Sequence, residues 1–172
     1  MNLSRRELLA MTVLSIGATV AGAHPDAEPS TMVTTSVSVT GAVEGALTLG
    51  VEDLRAFPTQ KVSEVPLVCQ TGANLGKLEN FKGVRLRDII ERAKVVAPGH
   101  NDVKKMVVIA GASDGYKVVF SWSEIFNSPV GDGVYVFADD EGRIAMISTK
   151  DLRTGPRHVK WLKDIEVRKI LD

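Results

Sequence analysis

The sequence contains a single cysteine, Cys69, in 172 residues. One thiol cannot close an intramolecular disulfide, and no repeated-cysteine pattern for structural zinc or an iron–sulfur cluster is present. Net charge is also lacking, because 21 basic residues balance 21 acidic ones. That balance excludes a protein whose main task is to coat nucleic acid or an anionic membrane, and it makes any electrostatic function local. No apolar run is long enough to span a bilayer. The three histidines, His24, His100 and His158, are scattered with no His-x-His pair, so a protein-only transition-metal site is not supported. The one Gly-x-Ser-x-Gly, Gly111 to Gly115, falls at a turn between two strand-like runs rather than between a strand and a helix, so it does not support a Ser–His–Asp hydrolase. Internal repeats are absent.

What is present is a globular composition, with 44% apolar and 24% charged residues, at a length that suits one domain. The first 23 residues read as an export signal. Arg5 and Arg6 precede a weakly apolar stretch, Leu8 to Val20, which ends at the cleavage pattern Ala21-Gly22-Ala23. The run Ser4-Arg5-Arg6-Glu7-Leu8-Leu9 is similar to a twin-arginine signal. The expectation is a periplasmic protein, cleaved after Ala23, with residues 24–32 as a flexible lead-in, residues 33–172 as the domain and no transmembrane segment in the mature chain.

Along that domain, Val33 to Gly41 alternates as a strand, with Gly41 and Gly45 bracketing a turn. Val51 to Phe57 forms a helical turn stopped by Pro58, and Lys61 to Cys69 is extended. The clearest helix is Leu86 to Ala93, where Leu86, Ile89, Ile90 and Ala93 share one face. Met106 to Ala110, Tyr116 to Ser121, Val134 to Ala138 and Ile144 to Ile147 read as strands, with turns at Ser113-Asp114-Gly115 and Asp140-Glu141-Gly142, and Ile165 to Ile170 closes the sheet. Strands outnumber helices without regular alternation, so the fold class is α+β, a mostly β mixed sheet.

Two segments could carry chemistry. Cys69 ends an apolar strand, which suits a buried inert thiol, yet it opens the polar loop Gln70 to Gly76, on which a reactive or metal-bound thiolate could be mounted. Between Lys150 and Lys163, Lys150, Arg153, Arg157, Lys160 and Lys163 face only Asp151. Gly155-Pro156 sets Arg157 and His158 at the start of a new element, which suits an anion such as phosphate, while a solvated basic face is the competing reading. Trp161 is a core anchor or a stacking surface. Asp114 sits in a hairpin turn, where its carboxylate could also accept hydrogen bonds from an amino-pyrimidine edge.

The order of several segments is informative: Val39-Thr40-Gly41-Ala42-Val43, Leu54-Arg55-Ala56-Phe57-Pro58, Leu67-Val68-Cys69, Phe81 to Ile90, Ser113-Asp114-Gly115-Tyr116, then Val159-Lys160-Trp161-Leu162 with Ile165-Glu166-Val167. Together they resemble the molybdopterin-binding domain of the sulfite oxidase superfamily over about residues 33–170. The resemblance implies a pterin held by backbone and basic side chains and a molybdenum ion held by one thiolate, which Cys69 matches by its place. It further implies that His158, Val159 and Lys160 hold the cofactor's phosphate end, with charge from Arg153 and Arg157 nearby. The pyrimidinone edge of a pterin would suit a carboxylate such as Asp114 or Asp151, and Asn74 in the cysteine loop is a further expected contact. The loop departs from the family's Cys-x-Gly-Asn, reading Cys69-Gln70-Thr71-Gly72-Ala73-Asn74. Small members of the superfamily bind a reduced pterin without metal and report it to a membrane-bound cyclic-di-GMP enzyme. The resemblance therefore implies such a sensor, partnered with the periplasmic domain of a membrane signalling enzyme. A small molybdopterin-dependent oxidoreductase with a redox partner is the alternative.

Overall fold

The computed structural model describes residues 32–170; the expected export signal and nearly all of the lead-in lie outside them. The fold is α+β and mostly strand, and two five-stranded sheets form its frame. The first sheet has the order β2-β1-β10-β5-β6, built from β2 (Leu47–Gly50), β1 (Ser36–Gly41), β10 (Leu162–Lys169), β5 (Met106–Ala112) and β6 (Lys117–Ser121). Its one parallel pair is β1 with β10, in register from Ser38 opposite Asp164 to Gly41 opposite Val167. The second sheet is antiparallel, in the order β3 (Thr59–Val68), β4 (Asn74–Arg85), β7 (Val134–Ala138), β8 (Ile144–Ser148) and β9 (His158–Val159). Among the described elements, the short helices α1 (Val51–Arg55), α2 (Leu86–Ala93) and α3 (Trp122–Phe126) fill connections between strands.

Period-two alternation decides which face each strand buries. On β7 and β8, Val134, Val136, Ile144 and Met146 enter the main core with Val37, Val39, Val108, Ala110, Ile165 and Val167 of the first sheet. Helix α2 closes this core with Leu86, Ile89 and Ile90, all fully buried. Each such side chain contributes about 1.5–3 kcal/mol by leaving water. The alternate residues Phe137, Ala145 and Ile147 face the opposite way, into a second cluster with Val65 and Phe81. That cluster exists because β4 pairs with β7 only over Gly83–Arg85. Beyond this point β3 and β4 leave the sheet as a two-stranded ribbon, which packs its apolar residues across the outer face of β7 and β8.

The structure corrects four local expectations. Strand β2 follows the expected Gly41–Gly45 turn and was not foreseen. The segment read as a loop through Gly76 is a turn over residues 69–73 followed by a long strand, β4. Most of that strand is polar and exposed, so pairing with β3, rather than hydrophobic pattern, makes it a strand. Helix α3 was not expected either; its start is fixed by a Ser121–Glu124 capping box. Finally, β10 lies between β1 and β5 at the centre of its sheet rather than closing an edge.

Candidate functional site

At the tip of the β3–β4 ribbon, Cys69 opens a tight turn. Its N–H donates to the Ala73 carbonyl at 2.8 Å, and the Gly72 N–H donates back to the Cys69 carbonyl at 2.9 Å. Gly72 takes φ +92°, a left-handed conformation that suits glycine. The thiol is half-buried. Its pKa is lowered chiefly by the backbone N–H of Thr71 and then by the Thr71 hydroxyl. These outweigh burial, with the Gln70 N–H and the charge of Arg153 adding to the effect. The turn thus favours a thiolate, the form that binds a metal.

Residues 153–155 lie against that turn. An Arg153 guanidinium nitrogen is 3.3 Å from where a β-carbon on Gly72 would be, so the missing side chain leaves room for the cation. Thr154, 4% exposed, accepts from the Val68 N–H at 2.9 Å and donates to the Pro66 carbonyl at 2.5 Å. Gly155 sits so close that a β-carbon would stand 2.9 Å from the Val68 carbonyl oxygen.

On from Gly155, the chain lines a cavity of about 360 Å³ with Ala112, Asp114, Tyr116, Gly155, His158, Lys160 and Trp161. Tyr116 closes one side, its hydroxyl donating to the Pro156 carbonyl at 2.6 Å. His158 is pushed down to about 4, first by burial and then by the charge of Lys160, so at neutral pH it presents an uncharged imidazole with one donor and one acceptor. A larger cavity of about 710 Å³ lies where β4 parts from β7, among Leu54, Phe81, Phe137 and Asp139. It contains none of the residues that the sequence nominates, so its size does not make it the site of that chemistry.

The nominated residues separate into distinct roles. Cys69 and Arg153 meet at the ribbon tip, while Asp114, His158 and Lys160 meet at the small cavity. The Asp114 carboxylate also accepts the Tyr116 N–H at 2.9 Å, so it serves its hairpin turn as well. Asn74 spends its side-chain oxygen on the Gly76 N–H at 2.8 Å. Arg157 is turned inward: it lies 2.8 Å from Glu124 and 3.6 Å from Asp151, with its guanidinium 4.4 Å from the centre of the Phe120 ring. Burial opposes ionisation of Glu124, but the Ser121 N–H and Arg157 together hold its carboxyl below the usual range. Asp151 is therefore not the only acid opposing the basic segment, and one of its oxygens is buried with no partner among the described residues. Of the basic segment, Lys150, Arg153, Lys160 and Lys163 form no ion pair among the described residues, and of these Arg153 lies at the ribbon tip and Lys160 at the small cavity.

Sequence reading missed Thr71, Thr154 and Glu124. The Ser121-x-x-Glu124 spacing signals a capping box, but nothing local identifies a threonine that bonds residues 86 and 88 positions away.

Residues 22–134 match the family described as the oxidoreductase molybdopterin binding domain. The chain belongs to that family. Cys69, Asn74 and Asp114 lie within the matched span of the molybdopterin-binding domain, and the basic segment follows it. Among solved structures, sulfane dehydrogenase SoxCD from Paracoccus pantotrophus is 18% identical, with a TM-score of 0.51 over 77% of this chain and 38% of that one. The likeness is one of fold, and this chain spans well under half the length of that relative. No curated protein matches the sequence.

The donor set fits the family's cofactor. A soft metal needs a deprotonated sulfur, and Cys69 is placed where hydrogen bonds and Arg153 favour one. A pterin needs a flat slot with donors and acceptors at its edge, and the small cavity offers aromatic walls, a neutral imidazole, a carboxylate and an ammonium. No cluster of three or more His, Cys, Asp or Glu side chains able to hold a metal occurs among the described residues.

Proposed function

We propose that the domain binds molybdopterin between the ribbon tip and the small cavity, with Cys69 as the protein's ligand to molybdenum. One observation carries this reading: residues 153–155 press the Cys69 turn against the wall of an aromatic and basic cavity. When bound, the metal supplies two-electron oxidation–reduction chemistry. The protein's part is to bind and orient. Lys160 and Arg153 neutralise the anionic end of the cofactor, Trp161 and Tyr116 flank its ring, His158 and Asp114 pair with the ring edge, and Arg157 keeps the loop in place from within.

A second reading, a metal-free sensor of reduced pterin that reports to a membrane-bound cyclic-di-GMP enzyme, is favoured by one detail. Cys69 does not line the small cavity, so ring recognition there does not require the thiol. Protein purified from a host that makes the cofactor decides between the two by elemental analysis. Near-stoichiometric molybdenum that is lost in Cys69→Ser supports the first reading. Pterin without molybdenum, with affinity kept within about threefold in Cys69→Ser, supports the second. Absence of both molybdenum and pterin binding would overturn both readings. Export through the twin-arginine route to the periplasm forms part of this proposal, resting on Arg5, Arg6 and Ala21-Gly22-Ala23.

A further inference from the structure

Three consecutive residues, Arg153, Thr154 and Gly155, touch the segment around Cys69, yet only Thr154 does so through hydrogen bonds. Its hydroxyl accepts from Val68 and donates to Pro66, so a single buried oxygen fixes both strand residues just before the cysteine. The same stretch continues through Gly155 into the cavity wall, and Pro156 is tied across the cavity to the Tyr116 hydroxyl. The ribbon has little else to hold its tip. Residues 70–77 are exposed, and the second apolar cluster reaches along the ribbon only as far as Leu67 and Leu78. A two-stranded ribbon with little apolar cover is marginal by itself.

We propose that Thr154 is a positioning residue that couples the pterin cavity to the Cys69 turn, so that a ligand seated against Gly155 and His158 orders the turn in which the thiol is presented. Loss of the hydroxyl leaves the Val68 N–H and the Pro66 carbonyl without their partner and frees the tip to open, while the cavity walls stay in place. Coupling of this kind needs one element with two states that both sites bias. That element is the β3 end, clasped or released.

The ligand-dependent half of this inference rests on the proposed pterin binding; the clasp does not, and the experiment separates them. Amide hydrogen exchange is followed in ligand-free wild type, Thr154→Val and Thr154→Ser. In Thr154→Val the amides of Cys69 and Gly72, whose acceptors lie within the turn, should exchange about tenfold faster, with β7 and β8 unchanged. The serine variant, which keeps the hydroxyl, should restore the wild-type rate. Should Thr154→Val be poorly folded, Gly155→Ala serves as the second variant, because its β-carbon would crowd the Val68 carbonyl oxygen and push the Val68 backbone away from residue 154. Unchanged Cys69 and Gly72 exchange in a folded variant overturns the clasp. The coupling is read by adding tetrahydrobiopterin. Protection of Gly72 in wild type but not in Thr154→Val supports it, whereas equal protection in both, or binding to wild type without protection, overturns it. Failure of tetrahydrobiopterin to bind at all counts against the metal-free pterin reading and removes the coupling to such a ligand, but leaves the ligand-free result on the clasp standing.

Discussion

Arg157 and Arg153 are four residues apart in one basic segment, yet their surroundings give them opposite tasks. Arg157 is held by Glu124 and Asp151 over the Phe120 ring, and the side chains of the Glu124 pair are only 24% and 34% exposed. Its removal strands two carboxylates in a partly desolvated place. Arg157→Ala should therefore destabilise the ligand-free protein by roughly 1–3 kcal/mol, less than for a fully buried pair because water still screens it. Arg153→Ala should leave stability nearly unchanged and weaken anion binding instead. Urea unfolding of both variants checks this, and equal stability of the two would contradict the division of roles. His158 adds a dependence on pH. Its pKa falls from 6.5 when unfolded to about 4 when folded, so between these values the unfolded chain binds the extra proton. The contribution is fully present above about pH 6.5 and is lost as the pH drops towards 4. Between pH 7 and 4.5 it amounts to roughly 2 kcal/mol. The unfolding free energy of wild type, taken relative to that of His158→Gln from urea titrations, should fall by about that amount on acidification.

The β3–β4 ribbon is the element on which the site depends and the one least secured by the main core. Phe81, 8% exposed and 4.3 Å from the Phe137 ring centre, is its principal anchor. Phe81→Ala should cost about 3 kcal/mol or somewhat more. The loss should appear first as local opening, with amides from Lys61 to Leu78 exchanging faster while those of β5 and β10 remain slow. Uniform acceleration across both sheets would mean that the ribbon and the main core unfold as one. Helix α2 behaves differently, because Leu86, Ile89 and Ile90 sit inside the main core and no local opening can release them.

At the scale of the whole molecule, a neutral chain still sets cations that form no ion pair among the described residues beside its candidate site. Arg153 and Lys160 stand beside the cavity, while the nearby acids are occupied by Arg157 or by the Asp114 turn. An anion is thus drawn to one place without the protein being basic overall. Among the described residues no helix is long and apolar enough to cross a membrane. The export proposal concerns residues outside the described ones, and replacing both Arg5 and Arg6 by Lys tests it. The precursor should then accumulate in the cytoplasm, and undiminished export would remove the twin-arginine route from the proposal.

Local pattern was enough for helix α2, for strands β7 and β8 and for the turns at Asp114 and Asp140, because one repeating apolar face or one turn residue decides each of them. The family, too, was legible in the order of short segments along the chain. Strand β4 was not, since Asn74 to Asn80 carries little hydrophobic pattern and becomes extended by pairing with β3. Nor could the sequence divide the labour of its arginines: Glu124 lies 33 residues from Arg157, and only folding brings a helix-capping carboxylate beneath that guanidinium. The bond from Thr154 to Val68 spans 86 residues. Hydrophobic periodicity and turn chemistry act over a few residues and so are written locally. Which charges meet, and which hydroxyl closes the site, depends on how two sheets and a ribbon pack, and that is decided only in the tertiary structure.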